Sequence, residues 1–489
     1  MKFFSTRNPS QKVEFNDAVL MGIAPDGGLF VPENFPKVNL ESLKDLSYKE
    51  LAFEILSIYL TDVPDEKLKE IIDKAYTNNF PKNPAPLTKA REDFYLELYH
   101  GNTHAFKDFA LSILPLFMEN AIESKNIKDK ILILTATSGD TGSAALYGFR
   151  DLENIDIAVL FPENGVSKIQ RLQMTTVNSP NTLVMGIDGN FDDAQGSVKK
   201  IFTDEDVKKS LKKENYILSS ANSINIGRLL PQIVYYFHAY NELVKNNEIN
   251  LGDEVSFVVP TGNFGDILAG FYAKEMGLPV KKLVIASNEN NVLTEFFNTG
   301  IYDANRSLKV TNSPSMDIII SSNLERLLYH ETKDSELVKK LQDDLSKNKI
   351  YNLKHKFSDF YAGNCDEEDT LKEIKKVYDE DKYLIDPHTA VAKKVSDDYK
   401  KETDAKEKIV ILSTASPFKF ADTILNEFHE VNRTGDVFSD LKSFEDYSKI
   451  KVPSDILNLK DKEVFHKKSI EVEKILENIM EFVSDRNEN

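Results

Sequence analysis

The segment HGNTHAFKDFA, residues 100–110, sets one lysine between two different patterns. Before it, Phe94, Leu96 and Leu98 alternate with Tyr95 and Glu97, the period of a half-buried strand. After it, an apolar run from Phe109 to Met118 suits a helix, with Pro115 as an interruption. Lys107 therefore falls at a strand-to-helix junction, beside Phe106. A lysine drawn into such a junction loses hydration as a cation, and its pKa falls from ~10.4. The neutral amine then attacks an aldehyde. Taken alone, the segment suits a solvated lysine better, because lysine is among the least buried residues.

Two further segments shift that balance. In VSFVVPTGNFGDILAGFYAKEMG, residues 255–277, the run Val255, Phe257, Val258 and Val259 reads as a buried strand. Thr261 to Gly265 forms a turn, and Asp266 opens an apolar helix. Strand, glycine-bearing turn and helix start make an anion cradle, since the first N–H groups of a helix lack internal partners. The P-loop lysine pattern and the GxGxxG spacing are both missing. An ordinary strand-to-helix turn fits this segment equally well. In KILILTATSGDTGSAALYGF, residues 130–149, a buried strand Ile131–Leu134 runs into a turn dense in hydroxyls, and a helix begins at Ala144. Thr137, Ser138 and Thr141 add hydroxyls to backbone donors, a seat suited to a carboxylate. The same residues suit a plain capped helix, with Asp140 or Thr141 as N-cap.

At 489 residues the chain exceeds one hydrophobic core, so two or three domains are expected. Its formal charge of −18 argues against nucleic acid and anionic membrane partners. An anionic ligand must then be drawn by local donors. Cys365 is the single cysteine, which excludes an intrachain disulfide and fits a reducing, cytoplasmic setting. No apolar run approaches the ~18 residues that span a bilayer, and the first residues lack a signal-peptide core. Neither His100 nor His388 has the paired spacing of a metal site, so no metal is expected.

Residues 1 to about 80 read as a separate unit. Ser47 and Glu50 form a capping box ahead of the stripe Leu51, Ile55, Ile58 and Tyr59, and a second helix starts at Pro64. Pro81, Pro84 and Pro86 mark a linker. Beyond it, strands at Phe94–Tyr99, Ile131–Thr135, Ile157–Phe161, Thr182–Ile187, Val255–Val259, Leu283–Ala286 and Ile409–Ser413 alternate with helical patterns. This predicts an α/β architecture with a largely parallel sheet and a site beyond the carboxyl ends of its strands. Residues 331–382 read as solvated helices outside the core. The polar end carries one last surface helix between Ile470 and Val483.

The motifs HGNTHAFKDFA, TATSGDTGSAAL and PTGNFGDILAG together resemble the threonine synthases, of the longer, fungal and enterobacterial type. STRNPSQKVEFNDAVLMGIAPDGGLFVPE, SKIQRLQMTTV, ANSINIGRLLPQI, SPSMDIIISSNLERLL, DPHTAVA and LSTASPFKFADT extend the likeness to about residue 425. The resemblance implies a fold type II pyridoxal-phosphate enzyme, similar to the tryptophan synthase β chain, with two α/β domains and an N-terminal unit. The expected division is 1–85 for the N-terminal domain, 86–135 with 230–435 for the large cofactor domain, 136–229 for the small domain and 436–489 for a polar, helical extension. It also implies a carbon–oxygen lyase acting on a phosphate ester, O-phosphohomoserine, with water, to give threonine and phosphate. Such enzymes are often monomeric, so a monomer or weak homo-oligomer is expected.

Residue by residue, Lys107 matches the lysine that holds the cofactor. Gly262, Asn263, Phe264, Gly265 and Asp266 match the cofactor-phosphate loop, and Thr414 the hydroxyl residue at the pyridine nitrogen. Ser138, Asp140 and Thr141 are candidates for the substrate carboxylate seat. An ionised aspartate repels a carboxylate, which gives Asp140 an orienting or cofactor-facing role. Thr103 is a further substrate candidate, and Lys168, Arg171, Asn225 and Arg228 are candidates for the leaving phosphate. His388 reads as a helix-start residue rather than a catalytic one. Asn102, where family members usually have proline, and His104, a rare residue there, depart from the pattern and put the shape of the lysine turn in question. Two rivals share most of these features: a phospho-lyase releasing 2-oxobutyrate, and a non-catalytic metabolite-binding descendant. Retention of Lys107 weighs against the second.

Overall fold

The computed structural model describes residues 1–488. A six-stranded sheet runs in the order Phe360–Asn364, Val280–Ser287, Val255–Pro260, Lys408–Ser413, Asp93–Glu97 and Leu87–Ala90. All neighbours are parallel except the last pair, an antiparallel hairpin. A second, all-parallel sheet runs Ser469–Ile470, Thr182–Ile187, Ile155–Pro162, Lys130–Ala136 and Tyr216–Ser219. Ile131, Leu132, Ile133 and Leu134 are all buried, which explains why these strands read as continuous apolar runs.

Chain order breaks in the larger sheet where Lys408–Ser413 inserts between Val255–Pro260 and Asp93–Glu97. The segments after these three strands carry Thr414, Gly262–Asp266 and Lys107, and they meet beyond the strand ends, at the switch point of the sheet.

The N-terminal unit has a three-stranded antiparallel sheet of Asn8–Val13, Phe3–Ser5 and Phe30–Pro32, followed by helices Tyr48–Tyr59 and Asp65–Thr77. The capping box is present, with the Ser47 amide donating to Glu50 over 2.8 Å. The unit is less separate than its sequence suggests. Leu51, Ile55, Leu56 and Tyr59 join the same apolar core as Val234, Phe237 and Tyr240 of helix Ile233–Lys245.

Three further readings shift. Residues 331–382 are not an outlying excursion. Helices Ser335–Asn348 and Glu367–Asp381 each bury an apolar stripe, and Phe360–Asn364 is the edge strand of the larger sheet. With glycine and asparagine at its end, that strand lacks a strong β pattern. The strand Lys130–Ala136, assigned by sequence almost wholly to the large domain, is central to the second sheet. The C-terminal extension is also partly internal. Ser469–Ile470 pairs with Gly186–Ile187, and helix Ile475–Glu488 buries Ile475, Ile479 and Val483 against that sheet. No helix among the described residues is long and apolar enough to cross a membrane.

Candidate active site

The lysine turn is closed by its own polar groups. The Thr103 amide and hydroxyl donate to Asp108 over 2.9 and 2.7 Å, and a side chain on Gly101 would strike the Asp108 Cβ at 2.5 Å. The turn delivers Lys107 to the start of the short helix Lys107–Leu111, and the Pro115 interruption separates it from a second helix, Leu114–Ser124. Lys107 Nζ donates to Ser315 Oγ over 2.9 Å and lies 3.6 Å from Asp140 Oδ2. Burial draws the amine down to about 8. The charge of Asp140 opposes that fall, and Lys419 and Arg228 reinforce it.

The strand Val255–Pro260 ends in the turn that starts helix Gly265–Glu275. Phe264 caps this helix with φ +63°, a left-handed conformation costly for a residue with a side chain. Its ring is held 5.8 Å from Phe297 and 5.9 Å from Phe360. The N–H groups of Asn263 to Ile267 have no protein acceptor among the described residues. A Cβ on Gly262 would meet the Ser315 carbonyl at 2.7 Å. Asp266 faces inward from the loop: Oδ1 accepts from Tyr235 and Tyr236 over 2.6 and 2.9 Å, while buried Oδ2 has no hydrogen-bond partner among the described residues. Burial pushes its carboxyl up to about 6 against those hydrogen bonds.

The hydroxyl-rich turn after Lys130–Ala136 differs in detail from expectation. Helix Asp140–Phe149 starts four residues before Ala144, and Gly139, at φ +129°, is its N-cap. Neither Asp140 nor Thr141 caps it. Thr137 Oγ1 accepts the Gly139 and Gly142 amides, each over 2.9 Å, because its hydroxyl points back over the turn. The amides and hydroxyls of Ser138 and Thr141, and the Asp140 amide, have no protein partner among the described residues. Asp140 is buried and bonded to Lys419 Nζ at 2.8 Å and Gln170 Nε2 at 2.9 Å. Burial raises its carboxyl, but Lys419 and Lys107 outweigh that and hold it far below the usual carboxylate range.

The other candidates divide. Arg228 is buried, donates to the Ala221 carbonyl over 3.0 Å, and leaves Nε without a hydrogen-bond partner among the described residues. Burial lowers it to about 10. Asn225 is occupied: its side chain bonds the Val19 and Ser220 carbonyls and caps the turn at Gly227. Lys168 and Arg171 are half exposed and paired with Asp436 and Glu163, as surface charges are. Thr103 is fully buried with its hydroxyl on Asp108, so it shapes the lysine turn. Thr414 follows the strand Lys408–Ser413, and its carbonyl accepts the Phe106 amide over 2.8 Å. Asn102 bonds Asn79 and His104 bonds Asp455, each over 2.7 Å. Both unusual side chains are engaged with other segments.

Sequence reading missed Ser315, Lys419 and Gln170, although all three lie in the quoted segments. Ser315 joins Lys107 to Asp140, which accepts its hydroxyl over 3.2 Å. Lys419 is fully buried and also donates to the Thr103 carbonyl over 2.7 Å. Its flanking Phe418 and Phe420 were the available signal. His388 does start the helix Pro387–Thr403, but it also reaches the site. Its Nδ1 faces Asp386 at 2.7 Å and Nε2 accepts the Ser315 amide over 3.2 Å. That pairing requires the proton on Nδ1.

The description "Pyridoxal-phosphate dependent enzyme" matches residues 83–415, flanked by "Threonine synthase N terminus" over 2–76 and "Threonine synthase, C-terminal" over 389–463. The chain belongs to the threonine synthase family. Threonine synthase of Schizosaccharomyces pombe is 39% identical over 459 residues, covering 86% of this chain and 88% of that one. Human threonine synthase-like 1 is 42% identical over 88% of this chain, which spans 62% of that longer protein. Among solved structures, pyridoxal-phosphate-bound threonine synthase from Brucella melitensis superposes with a TM-score of 0.87 at 34% identity, covering all of both chains. Threonine synthase from yeast does so with 0.88 at 34% identity over 99% of each. The fold is thus that of type II pyridoxal-phosphate enzymes, and the residues present fit the cofactor. A buried amine stands ready for its aldehyde. Free amides at a helix start suit its phosphate, and Gly262 leaves room that a Cβ would fill.

Proposed function

We propose that this chain converts O-phosphohomoserine and water into threonine and phosphate. One observation carries the reading. The Lys107 amine, tuned to about 8, is held by Ser315 and Asp140 between the free amides of the 263–267 turn and those of the 138–141 turn. When bound, pyridoxal phosphate supplies an electron sink for charge left at the substrate Cα. Lys107 would carry the cofactor aldehyde, and Gly262 to Asp266 would cradle its phosphate. Thr414, a neutral hydroxyl, would meet the ring nitrogen and make a milder sink than a carboxylate would.

As a free amine, Lys107 would take the Cα proton, serve as acid and base at neighbouring carbons, and return a proton to Cα at the end. Ser315 fixes the direction of the amine. Asp140 stays ionised and limits how far its pKa falls. Ser138 and Thr141, with the amides of that turn, seat the substrate carboxylate and so set which bond lies across the ring. Arg228 meets the ester phosphate, which leaves from Cγ before water adds at Cβ. We further infer a cytoplasmic enzyme, a setting that the single, buried Cys365 fits, and a monomer or weak homo-oligomer. Its mass in solution by light scattering tests the assembly.

The test is a joint assay of threonine, phosphate and 2-oxobutyrate from purified chain supplied with pyridoxal phosphate and O-phosphohomoserine. Equal threonine and phosphate are expected. Phosphate with 2-oxobutyrate would mean that water is not controlled at Cβ and would make the chain a phospho-lyase. No turnover would overturn both.

A further inference from the structure

We infer that Arg326 is a positioning residue that sets the cofactor-phosphate loop from beneath, through Asn323. Arg326 is fully buried and has no carboxylate within ion-pairing distance among the described residues. Its guanidinium instead donates to three neutral oxygens in three parts of the molecule. Nε reaches the Phe30 carbonyl of the N-terminal sheet over 2.8 Å, Nη2 the Ile224 carbonyl over 2.5 Å, and Nη1 the Asn323 Oδ1. Burying an uncompensated cation is costly, and a fork that only arginine can supply ties the three acceptors together.

Asn323 passes this on. Its backbone N–H and its Nδ2 both donate to the Asn263 carbonyl, over 3.1 and 3.0 Å. That carbonyl belongs to the peptide whose N–H is Phe264's, one of the unpartnered donors of the loop. A peptide that accepts two hydrogen bonds at oxygen is polarised and donates more strongly at nitrogen, and the Arg326 charge on the Asn323 carbonyl adds to that polarisation. The same clamp holds the residue before Phe264, whose left-handed backbone persists only if its surroundings enforce it. The N-terminal sheet thus supports the loop through Arg326 and Asn323.

This inference rests on the reading of residues 262–266 as the phosphate cradle, and the test separates the two. Full-length chain freed of cofactor is titrated with pyridoxal phosphate and, separately, with pyridoxal, which has the aldehyde but no phosphate. The parent is compared with Arg326→Gln, Arg326→Lys and Asn323→Ala at a temperature where circular dichroism shows each folded. Arg326→Gln and Asn323→Ala should weaken pyridoxal phosphate by about tenfold, the worth of a charge-assisted hydrogen bond, and leave pyridoxal unchanged. Arg326→Lys should not rescue, because an ammonium cannot span the three acceptors. If Arg326→Gln does not fold, Asn323→Ala decides. Unchanged pyridoxal phosphate affinity, or equal loss for both aldehydes, overturns the inference. A parent that binds neither aldehyde overturns the cofactor reading instead.

Discussion

Asp140 places one carboxylate oxygen 3.6 Å from the Lys107 amine and the other 2.8 Å from the Lys419 amine. One anion from the second sheet thus sits between two lysines from the first. Burial disfavours the proton at Lys107, the Asp140 charge opposes that, and the nearby Lys419 charge adds to it, which keeps the amine within reach of neutrality.

Lys107 is expected to weaken the cofactor-free fold. Its pKa is about 8 folded against 10.5 for the free side chain, so the folded chain binds this proton less tightly than the unfolded chain. The resulting penalty is full below about pH 8 and disappears as pH rises toward 10.5. Lys107→Met should therefore stabilise the cofactor-free protein by ~1–3 kcal/mol at pH 7, with no gain near pH 10.5, while activity falls at least about 10³-fold. Urea melts at the two pH values, with a threonine assay alongside, check both halves.

Asp266 should give a pH dependence of opposite origin. Its carboxyl is raised from 3.8 to about 6, so the folded chain holds this proton more tightly. The stability it contributes is complete below about pH 4 and is lost as pH rises through 6. Without cofactor, the stability difference between parent and Asp266→Asn should move by about 3 kcal/mol across that window, in favour of the variant at the higher pH. A difference that stays flat from pH 4 to 7 would contradict this account.

Arg228 and Arg171 should separate cleanly. Arg228 is buried with an unpartnered Nε, whereas Arg171 is half exposed beside Glu163. Arg228→Gln should lower kcat/KM for O-phosphohomoserine by roughly tenfold to a hundredfold, the loss of one charged phosphate contact. Arg171→Gln should leave it within about twofold, as for a surface ion pair. Steady-state kinetics on both variants decide, and comparable losses would return Arg171 to the site.

Gly262→Ala should cost cofactor rather than fold. The added methyl meets the Ser315 carbonyl at 2.7 Å, so either the loop or the serine that holds Lys107 must move. Pyridoxal phosphate affinity should drop at least about tenfold with little change in thermal midpoint. Spectral titration and a melting curve read the two separately.

Much of this was legible in the chain. The runs around Ile131, Val255 and Ile409 read as buried strands because both faces of a parallel sheet exclude water, and each of these three observed strands overlaps its expected range. Lys107 and the two anion-friendly turns were legible because strand, turn and helix start are local patterns. The edge strand at Phe360 and the strand at Ser469 were not, because neither has a pattern apart from the neighbour it completes.

Sequence by itself therefore determined the α/β class and placed Lys107 and the two anion-friendly turns at strand-to-helix junctions. Only the tertiary structure decided which groups gather around that amine. Lys419, Ser315 and His388 lie more than 200 residues from Lys107, and Lys168 and Arg171 lie closer to it in the chain yet face outward. Burial and distance in space, rather than order along the chain, fix the field at a buried nitrogen, because the Coulomb interaction depends on separation and local dielectric alone.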